Sequence, residues 1–184
     1  LIRAFKEIKK KVKNAKLVIL GDDELKTDLI QFVRSLNLEN DIYFLGFKKN
    51  PFKYISNSSV FVLSSFYEGL PMVIVESMAC GVPIVSVDCL AGPREILDPD
   101  HYDLKIKGIK YGKYGVLTER LKDLSKDFSS TLLKEEKFLA NAIIKLLTDK
   151  KLIKHYRKMS LIRAKDFDVN KIKYKWLSLL NSYG

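Results

Sequence analysis

Along the 184 residues, short apolar runs alternate with stretches in which apolar residues return every three or four positions. The runs are KLVILG (Lys16 to Gly21), DIYFLGF (Asp41 to Phe47), VFVLSS (Val60 to Ser65), VPIVSVD (Val82 to Asp88) and YGVLT (Tyr114 to Thr118). Each is short enough for a buried parallel strand. The periodic stretches predict helices. The first covers about Leu1 to Lys13. A second follows Gly21, with Leu25, Leu29, Phe32, Val33 and Leu36 at helical spacing and Asp22 or Asp23 as its cap. PFKYISNSSV holds a short helix, and LPMVIVESMACG a longer one, with Pro71 near its first turn and Gly81 past its end. REILD makes a helical turn. From about Ser130 the chain is helical, broken near Asp149, and closes on the amphipathic VNKIKYKWLSLLNS. Strands alternating with helices predict an α/β fold, a doubly wound parallel sheet with C-terminal helices. Ligands bind such sheets at the carboxyl ends of the strands. The rule points to the loops after Gly21, Phe47, Ser65 and Asp88.

The length fits a single domain, 1–184, with room for a core, and there is no internal repeat. The first residue is not Met, and the chain opens on a helical pattern already under way, which marks a piece of a longer protein truncated at its N-terminus. The net charge of +11 favours anionic partners, although the lysines are dispersed as on solvated helix faces. Two cysteines, Cys80 and Cys89, with eight residues between them, and two histidines match no zinc spacing, so no metal is expected. Reduced thiols and the lack of an 18-residue apolar run or a signal peptide are read as cytoplasmic.

Within EGLPMVIVE, Glu68 and Glu76 bracket the start of one helix. Glu68 falls in the loop after the third strand. The helix start offers amides without intrahelical partners and a partial positive charge, which suit phosphate. Pro71 has no N–H, so the donors are Gly69, Leu70, Met72 and Val73. Glu76 follows among Val73, Val75 and Met78, where an unpaired buried carboxylate would be costly. A vicinal diol such as ribose supplies two donors to its two oxygens. Phosphate on the helix start, ribose on Glu76 and a sugar near Glu68 describe a nucleotide-sugar. The plainer alternatives are a Glu76 exposed on a half-buried helix and a Glu68 that is an ordinary loop residue.

These residues resemble the E-x7-E motif of retaining GT-B glycosyltransferases of family 4. FVLSSFYEGLPMVIVESMACGVPIVSVDCLAGPREIL is similar to the family signature from end to end, and KLVILGDDELKTDLIQFVRSLNLENDIYFLGF, YGVLT and FDVNKIKYKWLSLL extend the resemblance over nearly the whole chain. It implies a Rossmann-like fold, the carboxyl-terminal, donor-binding half of a two-domain enzyme. Such an enzyme moves a sugar from a nucleotide diphosphate to an acceptor with retention. By that resemblance Glu68 is the catalytic residue beside the donor sugar. The amides from Leu70 to Val73 hold sugar and phosphate, Glu76 holds the ribose, and Phe47 and Lys48 lie near the base. Cofactors are not implied beyond the nucleotide-sugar substrate. The closing helix, 170–184, resembles one that reaches back to the other domain.

Three features depart from the family pattern. The usual Arg and Lys before this segment, and the first strand of the domain, are not in these residues. Asp23 stands where Gly is common, and Pro71 replaces one amide. AGPREIL is similar to bacterial enzymes that build surface polysaccharides and glycan–lipid intermediates. Its Arg94 either binds an anion or pairs with Glu95 or Asp98. The expected partners are a nucleotide-sugar, a glycan or lipid-linked acceptor, the missing amino-terminal domain and, for the basic surface, an anionic membrane face that the enzyme meets peripherally. A non-catalytic nucleotide-sugar-binding module is the alternative. Nucleic acid has only the net charge in its favour, with no recognition motif.

Overall fold

The structure is a computed structural model that describes residues 1–22, 24–89, 91–101, 105–122 and 127–182. Six strands alternate with helices as β1 (Leu17–Leu20), β2 (Ile42–Gly46), β3 (Phe61–Leu63), β4 (Ile84–Val87), β5 (Ile109–Tyr111) and β6 (Val116–Thr118). The helices are α1 (Ile2–Lys11), α2 (Lys26–Ser35), α3 (Phe52–Ile55), α4 (Met72–Ala79), α5 (Pro93–Leu97), α6 (Lys134–Thr148), α7 (Lys150–Ala164) and α8 (Val169–Asn181).

The strands form two groups. β1 and β2 pair in parallel, and β3, β4, β6 and β5 lie side by side in that order. β3, β4 and β6 are parallel, whereas β5 is antiparallel to β6. The predicted parallel sheet therefore gains one antiparallel edge. β5 escaped the sequence reading because KIKGIKY is broken up by Lys105, Lys107, Gly108 and Lys110 and has no apolar run. A tight connection, with the Gly112 N–H donating to the Gly115 carbonyl at 2.9 Å, turns it into β6.

Side chains alternate along the parallel strands, so one sheet serves two cores. Val85, Val87 and Val116 join α1, α2 and α6 in one apolar cluster. Ile84 and Leu117 join α4 and α5 in the other. All four residues of β4 are buried, as in the centre of a covered parallel sheet. β1 and β3 are different. Leu17, Ile19, Phe61 and Val62 are only half-buried and Val18 is exposed. Among the described residues each strand has one strand neighbour, which leaves one edge of β1 and one of β3 open.

Two local expectations change. α2 starts at Lys26 with Leu25 at its N-cap and no side-chain cap; Asp22 instead pairs with Lys26 at 2.8 Å. Asp23, the other expected cap, lies outside the described residues. The long C-terminal helix starts at Lys134 rather than near Ser130, because Glu136 reaches back to the Leu133 N–H at 2.9 Å. Asp149 breaks it as predicted, accepting from the amides of Lys151 and Leu152 at 3.0 Å to cap α7. α8 buries none of its residues and leaves Trp176 and Leu180 more than half exposed.

Candidate active site

Because β3, β4 and β6 are adjacent and parallel, the loops after them emerge at the same end of the sheet. Glu68, Cys89 and Arg120 sit in these three loops. In the first, Phe66 turns inward against the larger core while Tyr67 is exposed, and Glu68 is half-buried. Gly69 and Leu70 are exposed, and the buried Pro71 caps α4 with extended backbone. No side chain caps this helix. Among the described residues the amides of Gly69, Leu70, Met72 and Val73 have no protein acceptor. The first intact bond of the turn is from Ile74 N–H to the Pro71 carbonyl, at 2.9 Å. The structure thus presents four N–H donors at one helix start, in a loop at a strand end.

The second loop fixes the first. Asp88 continues the β4 ladder, its N–H donating to the Thr118 carbonyl at 2.8 Å. Its buried carboxylate takes a two-point contact from Arg94, with Nη2 to Oδ2 at 2.9 Å. The Ile106 N–H adds a weaker bond to the same oxygen, at 3.4 Å. This fork-to-fork pair is specific and strong, and it ties the start of α5 to the end of β4. Between its two ends lies Gly92, at φ +70°, whose N–H meets Glu95 Oε1 at 3.3 Å. A Cβ at Gly92 would stand 1.9 Å from the Gly69 carbonyl oxygen and 2.6 Å from Pro71 Cδ. Only glycine lets the second loop press so closely on the backbone that presents the four amides.

Cys89 lies buried between the loops. Burial, and then the negative charges of Glu68 and Asp88, push its thiol up to about 11, with Arg120 acting in the opposite direction. The thiol is therefore protonated and inert at neutral pH, and both Glu68 and Arg120 are close enough to act on it. Arg120 stacks on Tyr67, with its guanidinium carbon 4.7 Å from the ring centroid.

The sequence-predicted residues take distinct places. Glu68, Gly69, Leu70, Met72 and Val73 come together at the start of α4. Glu76 projects from the same helix and is exposed, so burial does not force a partner on it; the carboxylate is open to solvent or ligand. Phe47 and Lys48 follow β2 in the smaller strand group, Phe47 strongly exposed and Lys48 half-buried. Their loop starts at Gly46, φ +69°, beside the Asp22–Lys26 pair. Arg94 is buried against Asp88, a partner the sequence reading did not consider. The roles of Gly92, Tyr67 and Arg120 were also missed. Arg120 had a readable signal, since the strand-end rule applies equally to the loop after Thr118.

Among the described residues no group of three or more His, Cys, Asp or Glu side chains could hold a metal ion. No helix among them is long and apolar enough to cross a membrane. A groove of about 500 Å³ lined by Glu7, Lys10, Lys11 and Lys137 lies on the α1–α6 flank, away from the strand ends. The glutamate loop is an open surface, as one wall of a cleft would be.

Residues 1–127 match the family described as Glycosyl transferases group 1. An uncharacterized glycosyltransferase of Methanocaldococcus jannaschii is 46% identical over 98% of this chain, which covers 45% of that protein. The N-acetylgalactosamine-N,N'-diacetylbacillosaminyl-diphospho-undecaprenol 4-alpha-N-acetylgalactosaminyltransferase of Campylobacter jejuni is 33% identical over 94% of this chain and 40% of its own length. The chain thus spans less than half the length of these curated relatives. Its fold is also that of Anabaena HepE, solved in complex with UDP, with a TM-score of 0.76 at 24% identity over 99% of this chain and 44% of that one. The strand-end loops, the E-x7-E spacing and the extent of these matches lead to one conclusion: the chain belongs to the group 1 glycosyl transferases.

Proposed function

We propose that these residues form the donor-binding half of a retaining glycosyltransferase. It would transfer a sugar from a nucleotide diphosphate to a glycan or lipid-linked acceptor. The observation that carries the reading is the row of four amides without protein acceptors at the start of α4, bracketed by Glu68 and Glu76. Cleavage of the sugar–diphosphate bond puts negative charge on the leaving phosphate and positive charge on the anomeric carbon. The amides at Gly69, Leu70, Met72 and Val73, with the partial positive charge of the helix start, face the former. Glu68 positions the sugar and offsets the latter. Glu76 accepts from the ribose hydroxyls, and Phe47 and Lys48 flank the base. HepE, of the same fold, was solved with UDP, and the Campylobacter relative is named for a diphospho-undecaprenol acceptor.

The acceptor half and a further strand belong, in this proposal, to chain outside the 184 residues. The open edges of β1 and β3, with half-buried side chains along both strands, are where such a strand would pair. The exposed apolar side of α8 suits contact with the other domain. The basic outer side of α7 suits peripheral contact with an anionic membrane on the cytoplasmic side, where lipid-linked acceptors would be met.

Two measurements test the reading. Calorimetric titration of the full-length protein with UDP, GDP and ADP is expected to show one preferred nucleotide, with binding weakened in Glu76→Ala. Glu68→Ala is expected to nearly abolish transfer while leaving the circular dichroism spectrum unchanged; normal turnover in that variant would sink the assignment of Glu68. A non-catalytic nucleotide-sugar-binding module would instead bind the nucleotide and show no transfer in the wild type.

A further inference from the structure

We propose that Arg120 is a further ligand-binding residue of this site, its guanidinium donating to a diphosphate oxygen of the bound substrate. The inference rests on the reading of the strand-end loops as the substrate site and adds a residue outside the motif that identifies them.

Four observations support it. First, Arg120 lies two residues beyond β6, next to β4 and on the same end of the sheet as Glu68 and the α4 amides. Second, it is half-buried and reaches toward the Glu68 loop, stacked over Tyr67 at 4.7 Å. Third, Glu68 and Arg120 both act electrostatically on the buried Cys89 thiol, so both charges lie near it. Fourth, Arg120 is distinguished by its partners. Arg3 pairs with Glu136, Arg94 with Asp88 and Arg163 with Asp166, all from half-buried or buried positions. Among the described residues no carboxylate lies within ion-pair distance of Arg120. Its neighbour Glu119 is already engaged, accepting from the Gly108 N–H at 3.0 Å.

An unpaired guanidinium with one face on an aromatic ring keeps its edge donors available. A planar fork held by stacking is pre-organised for the oxygens of a phosphate. The α4 amides are neutral, whereas a diphosphate carries formal negative charge, and Arg120 supplies a full positive charge from a neighbouring loop. The diphosphate can be that of the nucleotide donor or that of a lipid-linked acceptor, and both offer the same oxyanion chemistry.

The test uses the full-length protein in two arms. The first compares UDP, GDP and ADP with the corresponding nucleosides; the second compares farnesyl diphosphate with farnesol. Wild type, Arg120→Ala, Arg120→Lys and Tyr67→Phe are titrated in each. The expected result is that Arg120→Ala weakens the diphosphate ligand of one arm by about tenfold to a hundredfold, the range of a lost charge-assisted hydrogen bond. The matching nucleoside or alcohol is unaffected, Arg120→Lys recovers part of the loss, and Tyr67→Phe, which keeps the stacking face, binds as wild type. A loss in the first arm assigns the donor diphosphate, and a loss in the second assigns the acceptor's. If the diphosphates bind but Arg120→Ala changes neither arm, or lowers nucleoside and alcohol affinity equally, Arg120 only holds Tyr67 and the proposal is overturned. If the wild type binds no nucleotide at all, the donor-site reading fails on its own, and the farnesyl arm still decides for or against Arg120.

Discussion

At the scale of single residues, Gly92 and Cys89 make the sharpest predictions. Gly92 combines a left-handed backbone with a contact that no Cβ can share. Gly92→Ala is expected to lower stability by about 2 kcal/mol or more and to weaken nucleotide binding, because relieving the clash moves the Gly69 carbonyl and the amides beside it. Thermal unfolding and calorimetry on the same variant check both; an unchanged melting temperature would contradict the contact. Cys89 gives a pH signature. Burial, with the charges of Glu68 and Asp88, pushes its thiol up to about 11 in the folded protein, above the value of about 8.5 for an unfolded cysteine. A group raised in the folded state contributes stability that is present below its unfolded value and lost as pH climbs through its folded one. Tyr156 acts in the same direction, since burial raises its hydroxyl while it donates to the Gly112 carbonyl at 2.9 Å. Stability is therefore expected to fall between about pH 9 and 11, less steeply in Cys89→Ala, as read by denaturant unfolding across that range.

At the scale of elements, the loop from β4 to α5 acts as a strut whose ends are Asp88 and Arg94. The pair is a buried one, so breaking it with Asp88→Ala is expected to cost about 3–5 kcal/mol, measurable as a lower denaturation midpoint. A loss below 1 kcal/mol would mean the pair is solvated. The strut also shows what the sequence could and could not disclose. The strands β1 to β4, helix α4 and its row of amides were legible, because apolar runs, Pro71 and Gly81 are local signals. The Asp88–Arg94 pair was not, since a six-residue separation is neither a helix nor a strand period and the contact exists only once β4 meets α5. The exposure of Glu76 stayed open in the sequence for a related reason. Its apolar sequence neighbours Val75 and Met78 are buried on the other side of the helix, while Glu76 itself faces out. The open edges of β1 and β3 carry a further expectation. If the proposed further strand pairs there, the amides that point away from their single partner strands are expected to be protected in hydrogen exchange of the full-length protein and to exchange quickly in the 184-residue chain.

At the scale of the whole molecule, charge is unevenly distributed. Helix α7 has no acidic residue, and Lys150, Lys151, Lys154, Arg157 and Lys158, with Lys165 just beyond, are exposed and without ion-pair partners among the described residues. Leu161 and Ile162 are exposed beside them. Each basic residue near an anionic lipid surface is worth about 1 kcal/mol. The full-length protein is expected to co-sediment with phosphatidylglycerol vesicles, to release them at 1 M salt, and to bind less after Lys154, Arg157 and Lys158 are changed to Glu. Equal binding to neutral vesicles would rule out these charges as the cause, and no binding to either kind would remove the membrane as a partner.

The docking of α1 on α6 has a consequence of a different kind. Arg3 bonds Glu136 and the Asp127 carbonyl, and Ile2, Phe5 and Ile8 share one core with Leu139, Ile143 and Leu146. During synthesis α1 thus waits for this partner more than 120 residues later, on the order of ten seconds at ordinary elongation rates. During that interval α1 lacks the helix that covers most of its apolar side, which makes these nascent residues the natural client of a holding chaperone.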